Sequence, residues 1–518
     1  MTENTIRNAA KHYDVELVLA TCNLISARLH ATNKGFIQEP LPESGRVMNI
    51  TLYAVALLAK IVARNYRYAG CVKPKSIDVL RLVNNCTTID APLDKRPMGT
   101  EWMVQTMVRL TSQQFAFQEE LFHLIPRHLL LFGKDHVQNH DFDIEALART
   151  VWGLSIEDYI TIGFAFYAVS LEFPVFDDTH FQQSDADSIR QCCVPENLRA
   201  FLARAGATLA TFRQFCFAEE KENPGLGAFG FNPLIDRPVL ILRNRNYCVP
   251  VPALAVLAAT RGLYYDLLDS LEDEWRRKFL TWFGYAFEAY VGRLMTSSFG
   301  TENVWHEPRY PSGRGEMRGP DWVARIGKSV FAVECRSGRL NKRAKTQADY
   351  DEVSSLLRRH VLETLLKLPS KIEDIASGAA AIDVGENRDY FPIVVTYEPL
   401  HPHGMFVAMI RGALASQNLS DMEFELMSVE DLEYWLAWNQ HGDIVEVLRE
   451  KWADLETRDL DMRSYLRRRA LDAGVERLRH PLLEREFDRF WHDAVPELWA
   501  RRNTRPSTEG GNLVDFTT

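Results

Sequence analysis

Asp321 and Glu334 are two acids whose spacing can bring them together across a tight turn. The stretch Gly319-Pro320-Asp321-Trp322-Val323-Ala324-Arg325-Ile326 alternates like a strand, and so does Ser329-Val330-Phe331-Ala332-Val333-Glu334-Cys335-Arg336. Between them Gly327-Lys328 suits a two-residue hairpin loop, because glycine accepts the positive φ such loops need. Counting outward from that loop pairs Ile326 with Ser329, and therefore Asp321 with Glu334. Opposed residues on one face have Cβ atoms roughly 4.5–5.5 Å apart. Two carboxylates so close repel unless a cation neutralises them, and hard divalent cations such as Mg²⁺ or Mn²⁺ take oxygen ligands. Strand periodicity puts Arg336 on the same face as Glu334, and the Cys335 side chain on the other.

The surrounding elements must hold this pair. Trp275 to Leu294 carries an apolar stripe of helical spacing that includes Phe279, Phe283, Phe287 and Leu294, and Glu288 lies on that helix. A short strand is expected near Asn303–Glu307, ahead of the hairpin. A helical run from Lys345 to Leu368 follows, stopped by Pro369. Phe391 to Tyr397 reads as a buried strand.

Pro320-Asp321 followed by Glu334-Cys335-Arg336, within helix, three strands, helix, strand, resembles the PD-(D/E)xK superfamily, the restriction-endonuclease-like nucleases. The resemblance covers about residues 275–440. It implies an αβββαβ core and a metal-dependent hydrolysis of DNA. Asp321 and Glu334 would hold Mg²⁺ (or Mn²⁺) with help from the Cys335 carbonyl, and Glu288 would face the metal site. The family lysine is replaced here by Arg336. Arginine stays protonated and cannot take a proton from water, although its fork can bind phosphate. Lys342 and Lys345 are the nearby lysines that could reach in. An alternative is a nuclease-like scaffold that has lost turnover and binds nucleic acid or a partner protein.

Arg336, Arg339, Lys342, Arg343 and Lys345 place five cations at one helix start, where they oppose the helix dipole. That points to contact with the DNA backbone through Arg339, Lys342, Arg343 and Lys345. The charged run Glu219-Glu220-Lys221-Glu222 reads as a solvated loop. His136 and His140 sit in a loop-like context without a zinc motif. His401-Pro402-His403-Gly404 reads as a turn after the strand.

The whole chain bounds these readings. It has 518 residues and a net charge of −10, so contact with DNA must be local rather than a global basic coat. The eight cysteines form no C-x-x-C pair, which argues against structural zinc and for free thiols in a reducing cytoplasm. The polar start Met1-Thr2-Glu3-Asn4 reads as lacking a secretory leader. No apolar run has the length of a membrane span.

The expected class is α+β / α/β. A large, mainly helical region fills 1–274, with a short β-hairpin near 239–249. The nuclease-like domain follows over 275–440, then a charged helical extension over 441–518 with a disordered tail. Helices are expected at Val15–Leu29, Ile50–Tyr66, Glu101–Leu124, Ile144–Leu154 and Ile156–Phe173, capped at Asp143 and Ser155 for the last two. Gln182–Val194 is expected to be a loop. The arginines from Arg463 to Arg479 read as a salt-bridged surface, given Glu476, Glu484 and Glu486. A helical front half ahead of such a nuclease core loosely resembles bacterial defence proteins, which implies a partner protein of a defence system.

Overall fold

The computed structural model describes residues 2–31, 36–40, 47–68, 71–89, 99–114, 120–133, 142–184, 186–312, 315–340, 342–380 and 382–494. The chain is a mixed α/β protein with several small mixed sheets. The expected loop positions of His136 and His140, and the tail after 494, lie outside the described residues.

The elements of the largest sheet and two helices on it are numbered in chain order. They are α1 (Asp273–Phe299), β1 (Val304–His306), β2 (Trp322–Ile326), β3 (Ser329–Arg336), α2 (Glu363–Ala376), β4 (Asp389–Thr396) and β5 (Glu425–Ser428). The strand order is β5-β4-β3-β2-β1. The pairs β1/β2 and β2/β3 are antiparallel, while β3/β4 and β4/β5 are parallel. A second hairpin, Arg309–Ser312 with Gly315–Arg318, lies between β1 and β2 in the chain.

Both faces of this sheet are covered, which explains why β3 reads as a nearly continuous apolar run rather than an alternating one. Phe331 and Val333 join the core formed by Phe279, Phe283 and Phe287 of α1. On the other face Val323 and Val330 pack with Ile375 of α2 and Tyr310, and Val394 packs with Leu357, Leu365 and Phe406. Gly327 takes φ +55 in the β2–β3 turn, as the two-residue loop requires.

Several elements depart from the sequence reading. Pro369 does not stop the helix, and α2 continues to Ala376. A proline inside a helix costs about 3 kcal/mol through the lost hydrogen bond and ring clash. Past Pro369 the helix is held by burial of Ile375 and by Tyr310 Oη donating to Asp374 at 2.6 Å. The Glu101–Leu124 segment forms two helices, Thr100–Gln114 and Leu121–Phe132. Residues 47–51 form a strand paired with Phe36–Pro40, so the next helix starts at Leu52. A short helix, Asp187–Cys192, stands within the expected loop. The hairpin near 239–249 is present, and Gly206–Thr208 adds a parallel strand to it. Asp143 and Ser155 cap their helices as expected, accepting from the amides of Ala146 and Asp158 at 2.9 Å.

The N-terminal helices are not a separate module hung on the sheet. Their buried residues, from Ile6 onward, belong to the same hydrophobic cluster as α1, β3 and the C-terminal helices up to Trp491. A buried ion pair crosses the expected boundary at 274. Arg127, on Leu121–Phe132, makes a two-pronged contact with Glu433 at 2.7 and 2.6 Å, and Tyr290 Oη of α1 adds a third bond at 2.7 Å. Burial alone raises the Glu433 carboxyl, but the Arg127 guanidinium outweighs it and holds the group down at about 2. Tyr397, just past β4, bonds His128 at 2.8 Å. Three arginines of the C-terminal extension are paired, with acids other than the expected Glu476, Glu484 and Glu486: Arg463 with Glu430, Arg467 with Glu120 and Arg469 with Glu450. Among the described residues no single helix is long and apolar enough to cross a membrane.

Breaking one partner of a buried ion pair leaves an uncompensated charge and costs about 3–5 kcal/mol. Arg127→Met should therefore destabilise the protein by that order in urea unfolding. A loss under 1 kcal/mol would show that the pair does not couple the N-terminal helices to the sheet.

Candidate active site

The β2–β3 register is the expected one. Ser329 pairs with Ile326 and Val333 with Trp322, where the ladder ends; Asp321 and Glu334 come one step beyond it and share the Arg336 guanidinium. Asp321 is kept in line by its own backbone, whose carbonyl accepts from Glu307 N at 2.9 Å beside the end of β1. Its Oδ2 accepts from the Cys335 amide at 2.7 Å. Burial, and then the neighbouring Glu334 carboxylate, push Asp321 up to about 7.

Glu334 is almost fully buried at 2% exposure, and both of its oxygens are taken by cations. Arg336 Nη2 donates to Oε2 at 2.7 Å, and Lys371 Nζ donates to Oε1 at 2.5 Å. Lys371 also donates to the Gly319 carbonyl at 2.9 Å, just ahead of Pro320-Asp321. The guanidinium of Arg336 touches every group that the resemblance assigns to a metal. Besides Glu334, its Nη1 donates to the Cys335 carbonyl at 2.8 Å and lies 3.4 Å from Asp321 Oδ2. Its Nε is fixed by Thr364 Oγ1 at 2.8 Å. The donor set of two carboxylates and a carbonyl suits a hard cation. Among the described residues no three His, Cys, Asp or Glu side chains converge on a metal position by themselves.

Lys371 is the residue that sequence reasoning missed. It lies seven residues, two helical turns, beyond Thr364, so both project from one face of α2 onto the acid pair. Reading Pro369 as a stop removed that helical turn from consideration. The only sequence signal would have been the period itself, Thr364–Leu368–Lys371, carried through the proline. A π-helical turn, Arg358–Leu362, precedes α2, and such turns recur at functional sites. It packs His360 against Gly338, where a Cβ would come within 2.5 Å of the imidazole.

Glu288 lies close enough to the pair to contribute to raising Asp321. Its carboxylate is engaged by His306 Nε2 at 2.5 Å, and its backbone carbonyl by Trp322 Nε1 at 2.8 Å. That hydrogen bond is the main cause raising the His306 imidazole above its ordinary range. Gly292 makes the arrangement possible, since a Cβ there would overlap the Trp322 ring at 2.0 Å.

The expected phosphate-binding cations divide. Lys342 and Arg343 lie on the helix Lys342–Gln347, with side chains outside the described set. Arg339 and Lys345 face inward. The Arg339 side chain is 4% exposed and its guanidinium sits 3.5 Å from the Tyr264 ring centre and 3.8 Å from that of Tyr397. Lys345 bonds Glu398 at 2.6 Å. Burial raises the Glu398 carboxyl, and Lys345, Arg339 and Arg261 reverse that and bring it down to about 2. Arg339 therefore anchors the segment after β3 rather than offering its charge at the surface, which corrects the expected DNA contact. The His401-Pro402-His403-Gly404 turn leads into the helix His403–Ala415.

The fold and site together define a mixed α/β protein with a paired-acid centre at the end of a β-hairpin, flanked by an arginine and a lysine. Comparison of the chain with protein-family models, with curated proteins and with solved structures found no match.

The raised Asp321 carboxyl has a consequence for stability. The folded state holds a proton that the unfolded chain releases in the ordinary carboxylate range. That contribution is complete below this range and is lost as pH rises toward about 7. The melting temperature of the protein in EDTA should thus fall between pH 5 and pH 8, and Asp321→Asn should flatten the decline. An identical slope in wild type and variant would mean that Asp321 ionises as an ordinary carboxylate.

Proposed function

We propose that the chain is a metal-dependent nuclease hydrolysing DNA phosphodiester bonds. The reading is carried by one observation: Asp321 and Glu334 lie side by side at the end of a hairpin, sharing the Arg336 guanidinium, with the Lys371 ammonium on Glu334. The order α1, β1, β2, β3, α2, β4 supports the restriction-endonuclease-like reading of the core. In this reading Asp321, Glu334 and the Cys335 carbonyl hold Mg²⁺ or Mn²⁺. The ion would lower the pKa of a bound water and offset charge on the phosphate.

The chain's own residues do the rest. Lys371 spends two of its three N–H donors on Gly319 and Glu334, which leaves one for the attacking water or the scissile phosphate. It thereby takes the place of the lysine that Arg336 replaces. Arg336, fixed by Thr364, presents a planar fork that suits a phosphate's oxygens. Glu288 and His306 form a polar edge beside Asp321.

A second reading has its own observation. The Arg336 guanidinium bridges Asp321, Glu334 and the Cys335 carbonyl at once. A built-in cation there could replace the metal, and the chain would then be a scaffold that binds nucleic acid or a partner protein without cutting.

Calorimetry with Mn²⁺ and a plasmid-cleavage assay separate the two. The nuclease reading expects wild type to bind Mn²⁺ and Asp321→Ala to lose it. Lys371→Ala should lower cleavage by about 10²–10³, the usual cost of one preorganised donor, while Arg336→Lys should retain activity. Wild type that binds no Mn²⁺ and cuts nothing, with Mn²⁺ binding gained in Arg336→Ala, would establish the scaffold instead.

A further inference from the structure

One surface of the N-terminal region combines aromatic rings with cations that have no counter-charge. An isolated bridge joins Tyr13 to Val72, with Asp14 N donating to Val72 O at 3.0 Å and Val72 N to His12 O at 2.8 Å. This draws the segment following the helix Leu52–Arg64 against the segment after Glu3–Ala10. A shallow dent of about 10 Å³, room for about one water, lies where they meet, and Lys11, Tyr13, Tyr66 and Arg67 line it. Tyr66 and Tyr68 meet edge to face at 5.2 Å. The Arg213 guanidinium lies 4.0 Å from the Tyr66 ring centre and Arg243 4.4 Å from that of Tyr68, which stays 40% exposed.

The carboxylates of this neighbourhood are engaged. Asp14 and Glu16 pair with Arg243 at 3.5 and 3.0 Å, and Glu3 and Glu220 pair with Arg64. Lys11 and Arg67 lie at this dent, and Lys73 and Lys75 follow Val72 in the chain; among the described residues these four show no ion pair, and Arg67, Lys73 and Lys75 are exposed. Arg213 spends its donors on the backbone carbonyls of Arg64 and Tyr66, at 2.8 and 2.7 Å, so its charge also stays uncompensated. In a chain of net charge −10 this is a local excess of positive charge.

We infer that this surface binds single-stranded nucleic acid, with phosphates on the cations and an unstacked base on the exposed ring of Tyr68. Cations interleaved with tyrosine faces are the two components of sequence-tolerant single-strand binding. A duplex keeps its bases stacked inside and cannot offer one to the Tyr68 ring. An acidic peptide would match the charge but makes no use of the rings. The inference goes beyond the proposed nuclease site, shares no residue with it and needs no metal.

The test is fluorescence anisotropy of a labelled oligothymidylate with the full chain in EDTA. Wild type should bind, with affinity falling as salt rises. A stacked base contributes about 1–3 kcal/mol, so Tyr68→Ala should weaken binding by roughly tenfold or more, while Tyr68→Phe should not. The double variant Arg67→Gln, Lys73→Gln should reduce the salt slope by about 0.7 for each lost phosphate contact. A duplex should compete poorly. Absent binding in wild type, or equal binding in wild type and Tyr68→Ala, overturns the inference. Displacement by polyglutamate as effective as by oligothymidylate would overturn it in favour of an acidic protein partner. Because the measurement excludes metal, a chain that never cuts DNA can still pass it, and a cutting chain can fail it.

Discussion

Everything around the central sheet answers one electrostatic problem, the enforced closeness of two carboxylates. The β2–β3 pairing ends with Asp321 and Glu334 side by side just beyond it, and the strands cannot slip by one residue without turning their apolar side chains outward. Glu334 is buried, so its charge cannot rely on water. The structure meets it with Arg336 from the same strand and Lys371 from α2, one cation on each oxygen. Asp321 has an amide and a distant guanidinium nitrogen, which is less than Glu334 receives. The pair's mutual repulsion and burial thus fall on Asp321, whose carboxyl is raised.

The supports of this pair are themselves interlocked. Thr364 fixes Arg336, and Lys371 ties α2 to Gly319 on the approach to β2. The close contact of Gly338 with His360 sets the segment after β3 against the π-helical turn. Arg339 then locks the same segment through the rings of Tyr264 and Tyr397, which come from different parts of the chain. Tyr397 continues to His128, and Arg127 beside it reaches Glu433, which also accepts from Tyr290 Oη. The N-terminal helices therefore act on the geometry of the sheet through buried polar contacts, not only through apolar packing. Such contacts tolerate little displacement, because an unpaired buried charge is costly.

Local rules and long-range packing divide what could be read in advance. The hairpin, its two-residue turn and the opposed acids were legible, because strand periodicity and glycine's conformational freedom are local properties. The apolar stripe of α1 and the buried strand β4 were legible for the same reason. Glu288 was expected near the pair from the family resemblance alone; its contact with His306 joins a helix to a strand and depends on how the two pack, which no periodicity shows.

By itself the sequence determined the register, the identity of the acids and the cation at Arg336, all of which follow from patterns within about twenty residues. Only the tertiary structure decided which cations serve the site. Lys371 reaches Glu334 because packing of Ile375 carries α2 past Pro369, overriding a local preference worth about 3 kcal/mol. Arg339 and Lys345, which sit on the expected helix start, turn inward because Glu398 and three tyrosines wait there. Whether a charged side chain faces solvent or a buried partner depends on residues distant in sequence, and no periodicity within the chain encodes that choice.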